Sequence, residues 1–295
     1  MIEGIFTIRD AYDYGVVLLE KKGIDEANAN IEIYLSELLD CRRSELSGMM
    51  DSVMNSDQME RYNNFLERRL TGEPLQYIMG GTNFYGYDIK LNSSVLIPRP
   101  ETELLVEKVL EDIKTSRKTD VRILEVGTGS GCITIALAKE LRKMEIDYHI
   151  TAIDVSTEAI QTAMGNLVIN ILADGRIDIK YIDALTLESI DSISKDINYL
   201  VSNPPYIPEY DYTELPPEIL EYEPKVSLTD NSDGLTFYKK FIGLSQTMPE
   251  GFKLFCEIGF GQKDKLEELL EKNRITKYSF YKDYNGIDRI MEAEI

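Results

Sequence analysis

Apolar residues recur at helical spacing through the opening stretch of the chain. Ile8, Ala11, Tyr12, Gly15, Leu18 and Leu19 follow one another at three- and four-residue steps, which is the mark of a helix with one buried face. Thr7 stands where an N-cap hydroxyl is wanted, and Gly23 where such a helix stops. A second helix is predicted from Glu26 to Leu39, with Ile31, Tyr34, Leu35, Leu38 and Leu39 on one side. A third is predicted from Asp57 to Leu70, with Met59, Tyr62, Phe65, Leu66 and Leu70 on one side and Thr71-Gly72 as its stop. Short helices with one apolar stripe each bury it against one another, so residues 1–80 are expected to form a small helical bundle.

The period then changes. Tyr85, Tyr87, Ile89 and Leu91 alternate with Gly86, Asp88, Lys90 and Asn92. Period two predicts strand, and the glycines and Asn92-Ser93-Ser94 supply turns, so residues 81–98 are expected to be a β-hairpin linking two domains. The run Leu-Ile-Pro-Arg-Pro-Glu-Thr-Glu from Leu96 to Glu103 is punctuated by two prolines. It leads into a helix starting near Glu101, with Leu104, Leu105, Val106 and Val109 as the apolar set.

From about residue 120 strand and helix alternate. Strands are predicted from Val121 to Val126, His149 to Ile153, Ile177 to Ile182, Asn198 to Val201 and Lys253 to Ile258. Helices are predicted from Cys132 to Leu141, Thr157 to Ile171, around Leu235 to Thr247, and from Gln262 to Glu271. Two late strands follow, Tyr278 to Tyr281 and Arg289 to Ala293. This order predicts an α/β domain over residues 99–295, a Rossmann-like, doubly wound and mostly parallel sheet of seven strands.

Composition narrows the chemistry. The 295 residues leave room for two domains. No apolar run approaches the roughly 20 residues of a membrane span, and the start, Met-Ile-Glu-Gly-Ile-Phe, lacks the basic and long apolar regions of a signal peptide. A cytoplasmic location with no membrane partner is the expectation. Cys41, Cys132 and Cys256 are far apart and His149 is the sole histidine, so no metal site is expected and a histidine-based triad is disfavoured. The net charge of −20 repels phosphate backbones, which disfavours duplex nucleic acid as a direct partner.

The candidate chemistry lies at two strand ends. Tyr199, Leu200 and Val201 run into Asn203-Pro204-Pro205-Tyr206. The prolines stop the strand, which leaves Asn203 at its carboxyl end, where open α/β sheets bind ligands. The Asn203 side-chain oxygen and the Pro204 carbonyl are two uncharged acceptors on a rigid backbone. Such a pair can hold both N–H bonds of an amino or amide group without protonating it, and the Tyr206 ring can pack a flat group. Taken alone, the same four residues also read as a proline-rich turn.

The second strand end carries Glu125-Val126-Gly127-Thr128-Gly129-Ser130-Gly131. Glycines there allow a tight turn and close approach of a ligand to the backbone. Asp154 ends the next strand, where a carboxylate can accept from a ribose diol. The spacing is G-x-G-x-G rather than the dinucleotide pattern, and Glu125 fits poorly beside a pyrophosphate. Carboxylates suit a cationic cofactor better, and S-adenosylmethionine carries a sulfonium and an ammonium. Asp183 ends the third strand and could contact an adenine amino group, or serve only as a turn residue.

Over nearly its whole length the chain resembles the protein-(glutamine-N5) methyltransferases that modify bacterial peptide chain release factors. The likeness rests on Glu73 to Ile78, Leu96 to Glu103, Gly127 to Gly131, Asn203 to Tyr206 and Glu223-Pro224. It implies a class I S-adenosylmethionine-dependent methyltransferase fold, with a small N-terminal domain that recognises substrate. It implies that Gly127 to Gly131, Asp154, Asp183 and Asn203 bind S-adenosylmethionine, and that Arg99 to Glu103, with Thr102 and Glu103, helps close that site. It also implies that Asn203, Pro204, Pro205 and Tyr206, with Arg99 nearby, bind the glutamine of a Gly-Gly-Gln motif in class I release factors. Ala184 departs from relatives that carry a larger apolar residue near the adenine. The Asn-Pro-Pro-Tyr and G-x-G-x-G pair is shared with N6-adenine methyltransferases of DNA or RNA, which remain the alternative. A protein that binds the cofactor only to hold a partner is a third reading.

Overall fold

Thr7 begins the first helix with a reciprocal cap. Its hydroxyl accepts from the Asp10 N–H at 3.1 Å, and the Asp10 carboxylate accepts from the Thr7 N–H at 2.9 Å. In the computed structural model, which describes residues 6–190, 193 and 196–295, this helix is α1 (Ile8–Lys22), and Gly23 ends it at φ 76°. The opening Met1 to Ile5, read above as lacking a leader, lies outside the described residues. There follow α2 (Ala27–Leu38), α3 (Arg43–Leu46), α4 (Ser56–Leu70) and α5 (Leu75–Met79). Asn55 and Gln58 cap α4 in the same reciprocal way. The sequence reading missed α3 and α5 because one turn of helix is too short to show a stripe. Ile31, Leu35, Tyr62, Phe65 and Leu66 are buried together. Tyr34 stacks on Phe65 with centroids 3.9 Å apart, and the Tyr62 hydroxyl donates to the Ala11 carbonyl.

The described residues divide into two units. The first is the chain up to Gly80 together with Pro217–Tyr222; the second is Gly81–Pro216 with Glu223–Ile295. The second unit opens with the antiparallel pair β1 (Gly81–Phe84) and β2 (Tyr87–Lys90). Tyr85, expected in the strand, lies in the turn. A two-residue hairpin turn needs left-handed backbone at its central positions, and Tyr85 and Gly86 take φ 53° and 82°. The hairpin is thus part of the second unit rather than a separate linker.

Next come α6 (Pro100–Ser116), β3 (Asp120–Val126), α7 (Cys132–Lys143), β4 (Asp147–Asp154), α8 (Thr157–Ile169), β5 (Ile177–Tyr181) and β6 (Tyr199–Ser202). Pro100 fits at the first turn of α6, where no N–H is needed. Two short helices not foreseen, α9 (Glu209–Tyr212) and α10 (Pro217–Tyr222), precede α11 (Thr236–Ser245). The chain ends in β7 (Lys253–Glu257), α12 (Lys263–Lys272), β8 (Lys277–Lys282) and β9 (Asp288–Glu294).

The seven strands stand in the order β5-β4-β3-β6-β7-β9-β8. All pairs are parallel except those that β9 makes with β7 and β8. Leu124, Leu200 and Leu254 are opposite one another in register and point to one face. There they pack with Phe241 and Ile242 of α11 and Leu266 and Leu270 of α12. Strand order reverses between β3 and β6, so the crevice beyond their carboxyl ends is the switch point of the sheet. No helix among the described residues is long and apolar enough to cross a membrane.

The helix α10 belongs to the first unit through Arg69, whose side chain is only 5% exposed. The Arg69 guanidinium donates to Asn30 Oδ1 at 2.8 Å, to the Glu73 carbonyl at 2.9 Å and to Glu218 Oε2 at 2.9 Å. Losing the guanidinium orphans two acceptors, Asn30 Oδ1 and the Glu73 carbonyl, whereas Glu218 is over a third exposed and can turn to water. Arg69→Met should therefore cost about 3 kcal/mol, the scale of leaving two polar groups without partners. Glu218→Gln should cost much less. Urea unfolding followed by a probe in the first unit tests the ranking.

Candidate functional site

Register sets the site. Val126 is paired with Ile153 on one side and Ser202 on the other, and Asp154 with Tyr181. The residues that follow these strands therefore emerge at one level. The Ser202 hydroxyl donates to the Val126 carbonyl at 2.8 Å and joins the two central strands at that level.

The glycine loop turns by left-handed backbone at Gly127, Gly129 and Gly131, with φ 76°, 53° and 80°. The Gly127 and Thr128 N–H groups both donate to the Ile153 carbonyl. A Cβ on Gly131 would lie 3.2 Å from that of Ala163 in α8, so a side chain there would press the two helices apart. Asp154 is fixed by two backbone amides: Gly129 N–H donates to Oδ2 and Ser156 N–H to Oδ1, both at 2.9 Å. Each oxygen keeps a further lone pair. Asp183 accepts from the Leu185 N–H at 2.9 Å and so also shapes its own turn.

A pocket with about 980 Å³ of space between atoms, its open mouth included, lies over these strand ends. Of the residues singled out from sequence, Gly127, Thr128, Gly129, Ser130, Asp154, Asp183, Asn203, Pro204, Pro205 and Thr102 line it. Ala184 lines it too, and so does Phe237, which the sequence reading missed.

Four expected residues stand outside that wall. Gly131 lies beneath it as the N-cap of α7. Arg99 is paired with Glu223, whose carboxylate is buried and also accepts from the Ile97 N–H. Glu103 accepts from the Tyr85 N–H at 2.6 Å, so it serves the hairpin turn. Successive helical residues point about 100° apart, and here Thr102 turns to the cavity and Glu103 to the hairpin. The Tyr206 hydroxyl donates to Glu257 Oε1 at 3.2 Å, and burial pushes its ionisation well above the usual tyrosine range.

Glu257 is a polar residue that the sequence reading missed. It is 1% exposed at the end of β7. Its Oε2 accepts from the Thr102 hydroxyl at 2.6 Å, and Thr102 Oγ1 accepts from Asn203 Nδ2 at 3.1 Å. Burial pushes the Glu257 carboxyl up to about 7, against the pull of the Thr102 and Tyr206 hydroxyls. The available signal was positional: a carboxylate closing an apolar strand next to the one that leads to Asn203.

Glu125 in β3 is fully buried, and burial pushes it up to about 8, while the Thr134 hydroxyl donates to it and pulls the other way. The Thr128 hydroxyl, buried as well, pulls the Glu125 carboxyl down in the same way as Thr134. His149 lies near the opposite end of β4, beside Asp178 at 3.1 Å.

Residues 10–80 match the family described as PrmC N-terminal domain, and residues 100–258 match the methyltransferase small domain. The chain is 33% identical over 289 residues to a release factor glutamine methyltransferase of Fusobacterium nucleatum, covering 97% of this chain and 78% of that one. It is 35% identical to a protein of the same name from Flavobacterium psychrophilum, covering 88% and 89%. Among solved structures, the N-terminal domain of human METTL16 superposes with a TM-score of 0.52 at 18% identity, covering 82% of this chain and 83% of that one, a likeness of fold.

Glu125 gives a stability test. Its folded value lies above the ordinary carboxyl value, so the native state holds this proton more tightly than the unfolded chain does. The stability this contributes is present in full below about pH 4.5 and is lost as pH rises toward about 8. Glu125→Gln has no such proton to lose. Without added ligand, its urea midpoint relative to the parent protein should rise steadily between pH 5 and pH 8, and parallel curves would contradict this.

Proposed function

The chain belongs to the release factor glutamine methyltransferases, and from that premise we propose its substrate and the roles of its residues. The proposed reaction moves a methyl group from S-adenosylmethionine to the side-chain amide nitrogen, N5, of the glutamine in the Gly-Gly-Gln motif of class I peptide chain release factors. A cytoplasmic setting belongs to the same reading. The observation that carries it is the state of Asn203. Its Nδ2 is occupied by Thr102 Oγ1 at 3.1 Å, so the side-chain oxygen is the atom left for an incoming N–H.

The pocket suits the cofactor. Its walls offer carboxylates at Asp154 and Asp183 and a glycine loop without side chains in the way. Asp154 would hold the ribose hydroxyls through its free lone pairs, and Asp183 the adenine side. Negative charge at Asp154 and Asp183, at the ends of two neighbouring strands, favours a cation. When bound, the cofactor supplies an electrophilic methyl on a positively charged sulfur.

The protein's task is then to make a poor nucleophile attack. An amide nitrogen delocalises its lone pair into the carbonyl. Asn203 Oδ1 and the Pro204 carbonyl would each take one N–H of the glutamine NH₂ and turn the lone pair toward the methyl group. Fixed acceptors of this kind act through position and preorganised electrostatics. The N–CH₃ bond forms as the S–CH₃ bond breaks, and the surplus amide proton leaves to water afterwards, so no strong base is required.

Mass spectrometry of the Gly-Gly-Gln peptide of a class I release factor, after incubation with this protein and S-adenosylmethionine, tests the reading. One added methyl on glutamine is expected. None, with cofactor binding measured separately, would move the reading to a nucleic-acid amine or another protein glutamine. Asn203→Ala should lower kcat by about 100-fold or more, the scale of losing one preorganised polar contact, while still binding cofactor. Asp154→Ala should do the reverse and weaken cofactor binding by about tenfold or more, as expected for losing hydrogen bonds to a charged acceptor. Calorimetry with S-adenosylmethionine reads that second effect.

A further inference from the structure

Resting on the reading above, we propose that Glu257 and Thr102 form a directional hydrogen-bond relay that fixes which end of the Asn203 side-chain amide meets the substrate. Both are positioning residues. Neither needs to touch the glutamine.

The argument is one of donors and acceptors. A carboxylate only accepts. The Thr102 hydroxyl, 2.6 Å from Glu257 Oε2, must therefore give its single proton to it. Thr102 Oγ1 can then only accept from Asn203, which turns Nδ2 toward Thr102 and leaves Oδ1 for the ligand. Shape cannot make this choice, because the oxygen and nitrogen of an amide are nearly alike in size. The sheet assembles the parts: Ser202 and Cys256 are paired in register, so Asn203 and Glu257 follow side by side. The other Glu257 oxygen is taken by the Tyr206 hydroxyl, which keeps Oε2 for Thr102.

The relay reverses on protonation. A neutral Glu257 can donate to Thr102, Thr102 can donate to Asn203 Oδ1, and Nδ2 then faces a substrate that also brings only N–H. Several groups bear on where this occurs. Thr102 and Glu101 come from α6, Tyr206 from the loop after β6, Cys132 from α7 and Arg289 from β9. The Tyr238 hydroxyl of α11 donates to the Glu257 backbone carbonyl. Burial is the largest influence and raises the carboxyl to about 7; Glu101 adds to it, while the two hydroxyls and Arg289 oppose it. Activity should thus rise as pH passes upward through about 7.

The test uses the full chain, a purified class I release factor and S-adenosylmethionine. Thr102→Val should lower kcat by about 100-fold, the scale of a small misplacement of a reacting group. Cofactor Kd is measured alongside, so that any weakening from the altered pocket wall is separated from the loss in kcat. Thr102→Ser, which restores the hydroxyl, should recover most of the rate. In the parent protein log kcat should climb between pH 6 and pH 8, and Glu257→Gln, with no proton to lose, should abolish that climb. The second variant keeps the test decisive even if Thr102→Val folds poorly. An active parent protein with an unchanged Thr102→Val rate, a Thr102→Ser variant as impaired as Thr102→Val, or an unchanged pH limb in Glu257→Gln overturns the relay alone. A parent protein that methylates no release-factor glutamine overturns the functional reading, and the relay with it.

Discussion

Backbone register across the parallel strands is the constraint on which the rest of this structure depends. Hydrogen bonding pairs Val126 with both Ile153 and Ser202, and Ser202 with Cys256. Four strand ends are thereby held at one height with no side chain needed to align them. A shift of one residue would turn every side chain to the opposite face. It would exchange Leu124 with Glu125, a core leucine with a carboxylate beside the glycine loop. The apolar core and the polar site are therefore specified by the same ladder.

Carboxyl and amide acceptors recur around the site, among hydroxyls that can also donate. Asp154 and Asp183 line the pocket, Glu125 and Glu257 are buried beside it, and the side-chain oxygen of Asn203 is free to accept. Such a surround selects ligands that bring N–H groups, hydroxyls or positive charge, and it disfavours phosphate. The acidity of the whole chain, −20 overall, points the same way at longer range.

Much of this was legible in the sequence, for reasons that also mark where it was not. Helices of three or more turns show their stripe, so α1, α2 and α4 were found to within about a residue, with Thr7 and Gly23 as their punctuation. Strand ends marked by glycine or proline, at Gly127 and Pro204, were equally plain. Local rules failed where a residue answers to a distant one. Glu103 was grouped with Thr102 through the resemblance, as part of one block closing the cofactor site, yet the helix sends them apart: Thr102 to Glu257, 155 residues on, and Glu103 to the hairpin. Glu257 itself carries no motif, and only the finished sheet puts it next to Asn203. Tyr206 was read as a ring that can pack a flat group, and the sequence held no sign that its hydroxyl donates to the same carboxylate.

The helix Pro217–Tyr222 gives the chain a threading that a linear map of domains hides. These six residues belong to the unit otherwise formed by the chain up to Gly80, although the flanking segments on both sides belong to the methyltransferase unit. A fragment cut after Gly80 would lack Glu218 and leave the Arg69 guanidinium without its carboxylate. A fragment beginning at Gly81 would carry the orphaned helix in the chain that leads away from Asn203. The two units can be named separately but not severed cleanly, and transplanting either onto another protein means carrying a piece of the other with it.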